Sequence, residues 1–307
     1  PPRGWGWSRP LDGATRGQKR GPATFADVRG QWPTRTPLGS EEVPTLQAYK
    51  NGLTMGHAGH NGSPPLRGEV TGWTPGAVRR HTRWLYGVEA PSLTGYGYAV
   101  TLTIRETPLD AASWQAARRA WVERLRRRGM VRLHWVVEWQ RRGTPHLHCA
   151  VYFAEPLTPA HQFALIAAWL EVTNAWGPRA AAQTIKPITG AEGWLQYLSK
   201  HAARGVQHYQ RWGKPDGWIK TGRLWGHSGD WPTEPPIRAD LTLAEYHRLR
   251  RLVRSWRVAD ARAAGDWTRL TYARRMLACP DRALSSVRGV SEWIPDPLAL
   301  RLLDALD

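Results

Sequence analysis

His146-Leu147-His148 places two imidazoles two residues apart in the sequence. On a strand, residues i and i+2 share a face, so both rings can grip one cation. Residues 131–140 read as a neighbouring strand that returns through a five-residue turn at 141–145. That hairpin predicts Gln140 opposite His146 and Glu138 opposite His148, all on one side. Two imidazoles and a carboxylate make a three-donor set with positions left open for water or phosphate. The competing reading is a hairpin with a polar face and no ion.

Tyr197-Leu198-Ser199-Lys200 is the second candidate. Spacing i, i+3 on a helix brings the Tyr and Lys side chains into contact range, with Arg204 beside them. A phenol with a pKa of about 10 is a poor nucleophile unless cations support its phenolate. Lys200 and a nearby metal would supply that support. The plain alternative is a surface Tyr with a cationic neighbour. Other features carry less. His57 and His60 have metal-like spacing but sit in a Gly-rich stretch without an acid between them, and Cys149 reads as core.

These groups need elements to position them. Residues 96–104 alternate Tyr98, Val100, Leu102 and Ile104 against Ala99, Thr101 and Thr103, the period of a half-buried strand. Residues 110–128 read as a helix with Trp114, Ala117, Trp121 and Leu125 in one stripe and Gly129 as its stop. Strands follow over 131–140 and 146–153, a helix over 158–176, a weaker strand over 181–188 and a helix over 190–203. The last has the stripe Ala191, Trp194, Leu195, Leu198 and Ala202. The succession βαββαβ predicts an α+β, ferredoxin-like antiparallel sheet with helices on one face and the other face open. His146, His148 and Glu138 would stand on that open face.

The flanks read differently. Residues 1–80 hold 24 Gly plus Pro, which predicts an irregular arm or short strands with loops. A basic amphipathic helix is expected over 241–257 and another over 266–278. The organisation expected is a Gly/Pro-rich extension at 1–90, a core at 91–230 and a basic helical unit at 231–307. Lys and Arg number 43 against 25 Asp and Glu, a net charge of +18 with a pI near 10.8. Such a chain should bind a polyanion, with nucleic acid the obvious one. Six of the cations are Lys and the rest Arg, which forks phosphates and stacks on bases. Mean hydropathy is −0.52, and no run of about 18 apolar residues suggests a membrane span. Two cysteines exclude a disulfide scaffold and a four-Cys zinc site. No secretory leader is visible, so the cytoplasm is the expected compartment.

Taken in order, these motifs resemble the HUH endonucleases, and among them the rolling-circle replication initiators of plasmids and phages. Thr101-Leu102-Thr103 stands where the first motif of that family lies. His146-Leu147-His148 resembles its metal motif, with Glu138 as the third ligand, and Tyr197-x-x-Lys200 resembles its nucleophile motif. The resemblance covers roughly residues 91–230. It implies that Tyr197 attacks a phosphodiester of single-stranded DNA, with Lys200 assisting, and leaves a 5′-phosphotyrosine link. It also implies Mn²⁺ or Mg²⁺ on Glu138, His146 and His148, with Mn²⁺ the better imidazole partner. Expected partners are single-stranded DNA, a duplex or hairpin origin and a host helicase. Arg141, Arg142, Arg204 and Arg223 are expected DNA contacts.

Some single-Tyr initiators use an acid before the Tyr to activate water. Glu192 could do this, but Thr189-x-x-Glu192 also fits a capping box; Tyr209 would be a second nucleophile. Two alternatives share the core: a mobilisation relaxase or HUH transposase, and a non-catalytic RNA-recognition-like module. The latter should carry an aromatic-rich third strand, where this chain reads His-Leu-His-Cys-Ala-Val-Tyr-Phe.

Overall fold

Two antiparallel sheets and the helices packed on them make this an α+β protein. The computed structural model describes residues 43–57, 68–190, 194, 195, 198, 209–277, 291–294 and 296–306. In chain order the elements begin with strands β1 (Pro44–Tyr49) and β2 (Gly52–His57) and helix α1 (Pro75–Gly87). Next come β3 (Tyr96–Thr103), α2 (Ala111–Arg126), β4 (Met130–Trp139), β5 (Pro145–Phe153), α3 (Pro159–Val172) and β6 (Thr184–Pro187). After these lie α4 (Tyr209–Trp212), β7 (Trp225–Gly229), β8 (Ile237–Asp240), α5 (Leu243–Ala263), α6 (Trp267–Leu277), β9 (Ser291–Trp293) and α7 (Asp296–Asp304). The larger sheet has the order β6-β3-β5-β4-β7 and the smaller β8-β1-β2-β9.

Local chemistry sets the helix ends. The Asp110 carboxylate accepts from Ser113 N at 2.7 Å and starts α2, and Gly129 beyond its end adopts φ +82, which a side chain would resist. Thr158 caps α3 by accepting from His161 N. One face of the larger sheet, with Val100, Leu102, Leu133, Val137, Leu147, Cys149 and Val151, is buried with Trp114, Trp121, Leu125, Leu165 and Trp169 in one core. Trp169 meets Trp114 and Trp121 edge-on at 5.6 and 5.9 Å, the arrangement aromatic quadrupoles favour. Burial pushes the Cys149 thiol up, so it is an inert core residue.

The opposite face is not open, contrary to the sequence expectation. Leu85 and Tyr86 of α1, Leu195, Leu198 and Trp231 share a buried cluster with Ala150 and Tyr152 of β5, and His81 of α1 is buried against His134 of β4. The amphipathic face of α1 needed a partner, and the polar side of the sheet supplied small and aromatic residues to receive it. Strand pairing also joins the two flanking segments. Residues of the N-terminal extension form β1 and β2, which pair with β8 and β9 from the C-terminal segment. Asn51, in the β1–β2 turn, donates to the carbonyls of Tyr86 and Val88 and ties that hairpin to α1. The C-terminal basic helix is α5, but its arginines are not all a solvent rail. Arg250 is buried beside Tyr246, and Arg248 donates to the Leu306 carbonyl. Among the described residues no helix is long and apolar enough to cross a membrane.

Candidate functional site

β5 lies between β3 and β4, so His146 and His148 are flanked on both sides. Thr103 stands opposite His146 and Thr101 opposite His148 on β3. On β4, Glu138 stands opposite His146 and Val136 opposite His148. The expected register is thus displaced by two residues. The turn closes with Gln140 N donating to the Thr144 carbonyl, and Trp139 pairs with Pro145. Because the displacement is even, Glu138 keeps the face of the histidines.

Each imidazole is oriented through Nδ1. The Thr101 hydroxyl lies 3.3 Å from His148 Nδ1, and Gln140 Nε2 lies 3.4 Å from His146 Nδ1 while donating to Thr103 Oγ1 at 2.7 Å. The rings sit 4.5 Å apart, nearly perpendicular. The Thr101 hydroxyl can accept from His148 Nδ1, which frees His148 Nε2 as a ligating atom, whereas the Gln140 amide nitrogen is itself a donor to His146 Nδ1. His148 Nε2 points to Glu138, whose carboxylate is 3.7 Å away.

Glu138 has a second neighbour that the sequence did not suggest. Arg211 of α4 brings Nη2 to 3.2 Å from Glu138 Oε1, and both side chains are buried. The Arg211 guanidinium lies over the Trp73 ring at 3.6 Å, and its backbone carbonyl accepts from Trp139 Nε1. A buried carboxylate requires such a counter-charge. The donor types therefore suit a divalent ion, and His148 is oriented for one. Glu138, however, faces a cation already built into the protein, and among the described residues no three His, Cys, Asp or Glu side chains are arranged to hold a metal.

Tyr197, Lys200, Glu192 and Arg204 lie outside the described residues. Their neighbours Trp194, Leu195 and Leu198 are helical, as the stripe predicts. Leu195 and Leu198 are buried in the cluster that contains Ala150 and Tyr152. These two residues follow His148 on β5 at even spacing, so they share its face. Leu195 and Leu198 thus belong to the cluster that covers part of the histidine-bearing face. Arg141 and Arg142 are exposed in the β4–β5 turn, with Arg141 above the ring of exposed Tyr209 at 5.6 Å. Arg223 is exposed elsewhere, its carbonyl bound by Gln115 of α2.

Sequence reading missed a second group, next to His148 on the same face. His134 and His227 stand opposite each other on β4 and β7, and His81 Nε2 lies 2.9 Å from His134 Nε2. Trp84 stacks on His227 at 4.5 Å, and Trp225 stacks on His81 at 4.7 Å. Burial holds the His134 imidazole down, to about 3. His81 is held well below the ordinary imidazole range by burial and then by His134, Arg211 and His227. The available signal was Thr74-Pro75, a cap followed by Pro at the first helical position, which announces α1.

Comparison with known proteins gives the family. Residues 97–204 match the family model described as replication-associated protein ORF2/G2P. A provisionally named replication protein of Xylella fastidiosa strain 9a5c is 49% identical over 264 residues, covering 82% of this chain and 93% of its own length. The replication-associated protein G2P of Pseudomonas phage Pf3 is 41% identical over 265 residues, covering 84% of this chain and 95% of its own. No solved structure matches.

Proposed function

Because the chain belongs to the family of replication-associated proteins that includes G2P of phage Pf3, we propose that it nicks and rejoins single-stranded DNA to initiate rolling-circle replication. In this reading residues 91–230 form an HUH nuclease core. The observation that carries the reading is spatial. Leu195 and Leu198, two residues before Tyr197 and one after it in the sequence, share a buried cluster with Ala150 and Tyr152 on the face where His146, His148 and Glu138 meet, which supports the reading.

Tyr197 Oη attacks the scissile phosphorus. The P–O3′ bond breaks, the 3′-oxygen leaves and takes up a proton, and the DNA 5′-phosphate remains esterified to the tyrosine. Lys200 supports the developing phenolate by its charge. Thr101 fixes the His148 ring, and His146 and His148 would hold a divalent ion, Mn²⁺ or Mg²⁺, with Glu138 as the third donor once it turns from Arg211. Such an ion, when bound, polarises the phosphate and steadies its charge. The phosphotyrosine link conserves the bond energy, and attack by a 3′-hydroxyl reverses the step and rejoins the strand. Glu192 would activate water for release where rejoining does not occur.

The test is cleavage of a labelled single-stranded origin oligonucleotide by the full chain with Mn²⁺. Cleavage that stops on chelation and in His148→Ala supports the reading. Chelator-resistant cleavage, or none with any divalent ion, contradicts it.

A further inference from the structure

A groove of about 630 Å³ opens beside the histidines, at the end of the sheet where β3 finishes and the β4–β5 turn begins. Its floor includes Thr103 and Gln140, and the Gln140 side chain bridges the Thr103 hydroxyl and His146. Its walls carry Arg105, Arg141, Arg142 and Arg179. All four are exposed, and among the described residues no carboxylate forms an ion pair with any of them.

The walls are held by backbone and not by chance side-chain positions. Arg105 N and Glu106 N both donate to the Trp176 carbonyl. The Gln183 amide accepts from Thr103 N at 2.8 Å and donates to the carbonyls of Thr103 and Arg179, at 3.1 and 2.8 Å. Gly177, with φ +57, turns the chain beneath the Arg105 side chain. Arg142 donates to the Ile104 carbonyl at 2.5 Å, which uses one of five guanidinium N–H donors.

Four exposed guanidiniums around one cleft, without ion pairs among the described residues, select an anion with several charges in a row. We propose that this groove is the phosphate rail for the single strand flanking the scissile linkage, with Arg105 and Arg179 as its previously unrecognised contacts. The ligand class rests on the nicking function proposed above; the groove itself does not. Its shared border with Gln140 and Thr103 leads a strand bound there directly to His146. Tyr209, exposed below Arg141, offers a ring on which a base can stack.

The experiment measures binding of the full chain to a thymidine homopolymer by fluorescence anisotropy, without metal, across a salt series. Arg105→Ala/Arg179→Ala is compared with wild type and with Arg127→Ala/Arg128→Ala, two exposed arginines at the far end of β4. Each lost single-strand phosphate contact lowers the log–log salt slope by about 0.7, so the groove pair should lower it by about 1.4. The distant pair should leave the slope near that of wild type. Equal slopes for wild type and the groove variant, or an equal drop in both variants, would overturn the rail. Binding is read without cleavage, so a chain that fails to nick can still show the rail. A groove variant that nicks and binds as wild type keeps the nuclease and loses the rail.

Discussion

Arg211 Nη2 lies 3.2 Å from Glu138 Oε1, with both side chains buried beside the two histidines. Removing one partner of a buried pair strands the other charge, which costs about 3–5 kcal/mol. Glu138→Ala should therefore lower the urea midpoint sharply, while Glu138→Gln combined with Arg211→Met should recover much of the loss. A single variant as stable as wild type would show that the pair is not coupled.

The same pair predicts competition with metal. Arg211 neutralises the carboxylate that a divalent ion would use. Arg211→Gln should lose stability yet bind Mn²⁺ more tightly, by about tenfold if removing the competing charge is worth about 1.4 kcal/mol. Electron paramagnetic resonance of free Mn²⁺ reads this without any activity. Weaker binding in that variant would mean that Arg211 supports the ion site instead of opposing it.

His81 and His134 predict an acid-sensitive fold. Both imidazoles are held neutral by burial, so the unfolded chain, with a pKa near 6.5, binds more protons below that pH. Their stabilisation is fully present above about pH 6.5 and fades as the pH falls. From pH 6.5 to 5 the loss should be about 1.7 kcal/mol for His134, with His81 acting in the same direction. Replacing His134 with Phe should flatten the urea-midpoint profile over that range. An unchanged slope would show that the pair does not govern it.

The extent of what the sequence reveals follows from which interactions are local. Strand alternation over 96–104, the stripe of α2 and the stop at Gly129 depend on neighbours in the chain, and all three appear in the fold. The shared face of Glu138, His146 and His148 was equally legible, because parity survives a register displacement. The register itself depended on how residues 140–144 close, which composition does not specify. The covered sheet face was hidden because α1 buries the polar residues His81 and Thr82 beside Leu85 and Tyr86, which dilutes its apolar stripe. Arg211 and the pairing of β1–β2 with β8 and β9 are contacts between distant segments, and nothing in local pattern encodes them.

His146→Ala and His148→Ala should each weaken Mn²⁺ binding by at least tenfold and abolish nicking, with little change in stability. Both side chains keep some solvent exposure, 13% for His148, so the space left by truncation opens to solvent. Thr101→Val should produce a milder loss, because it frees the His148 ring without removing it. A Thr101→Val variant worse than His148→Ala would contradict that order.

The most direct test is to trap the covalent step. The full chain is mixed with single-stranded origin DNA and Mn²⁺, denatured, digested with protease and nuclease, and its peptides are weighed. The account predicts a nucleotide attached through its 5′-phosphate to the peptide containing Tyr197, absent from Tyr197→Phe, which still binds the DNA. An adduct on Tyr209 or another residue, or cleavage by Tyr197→Phe, would contradict it.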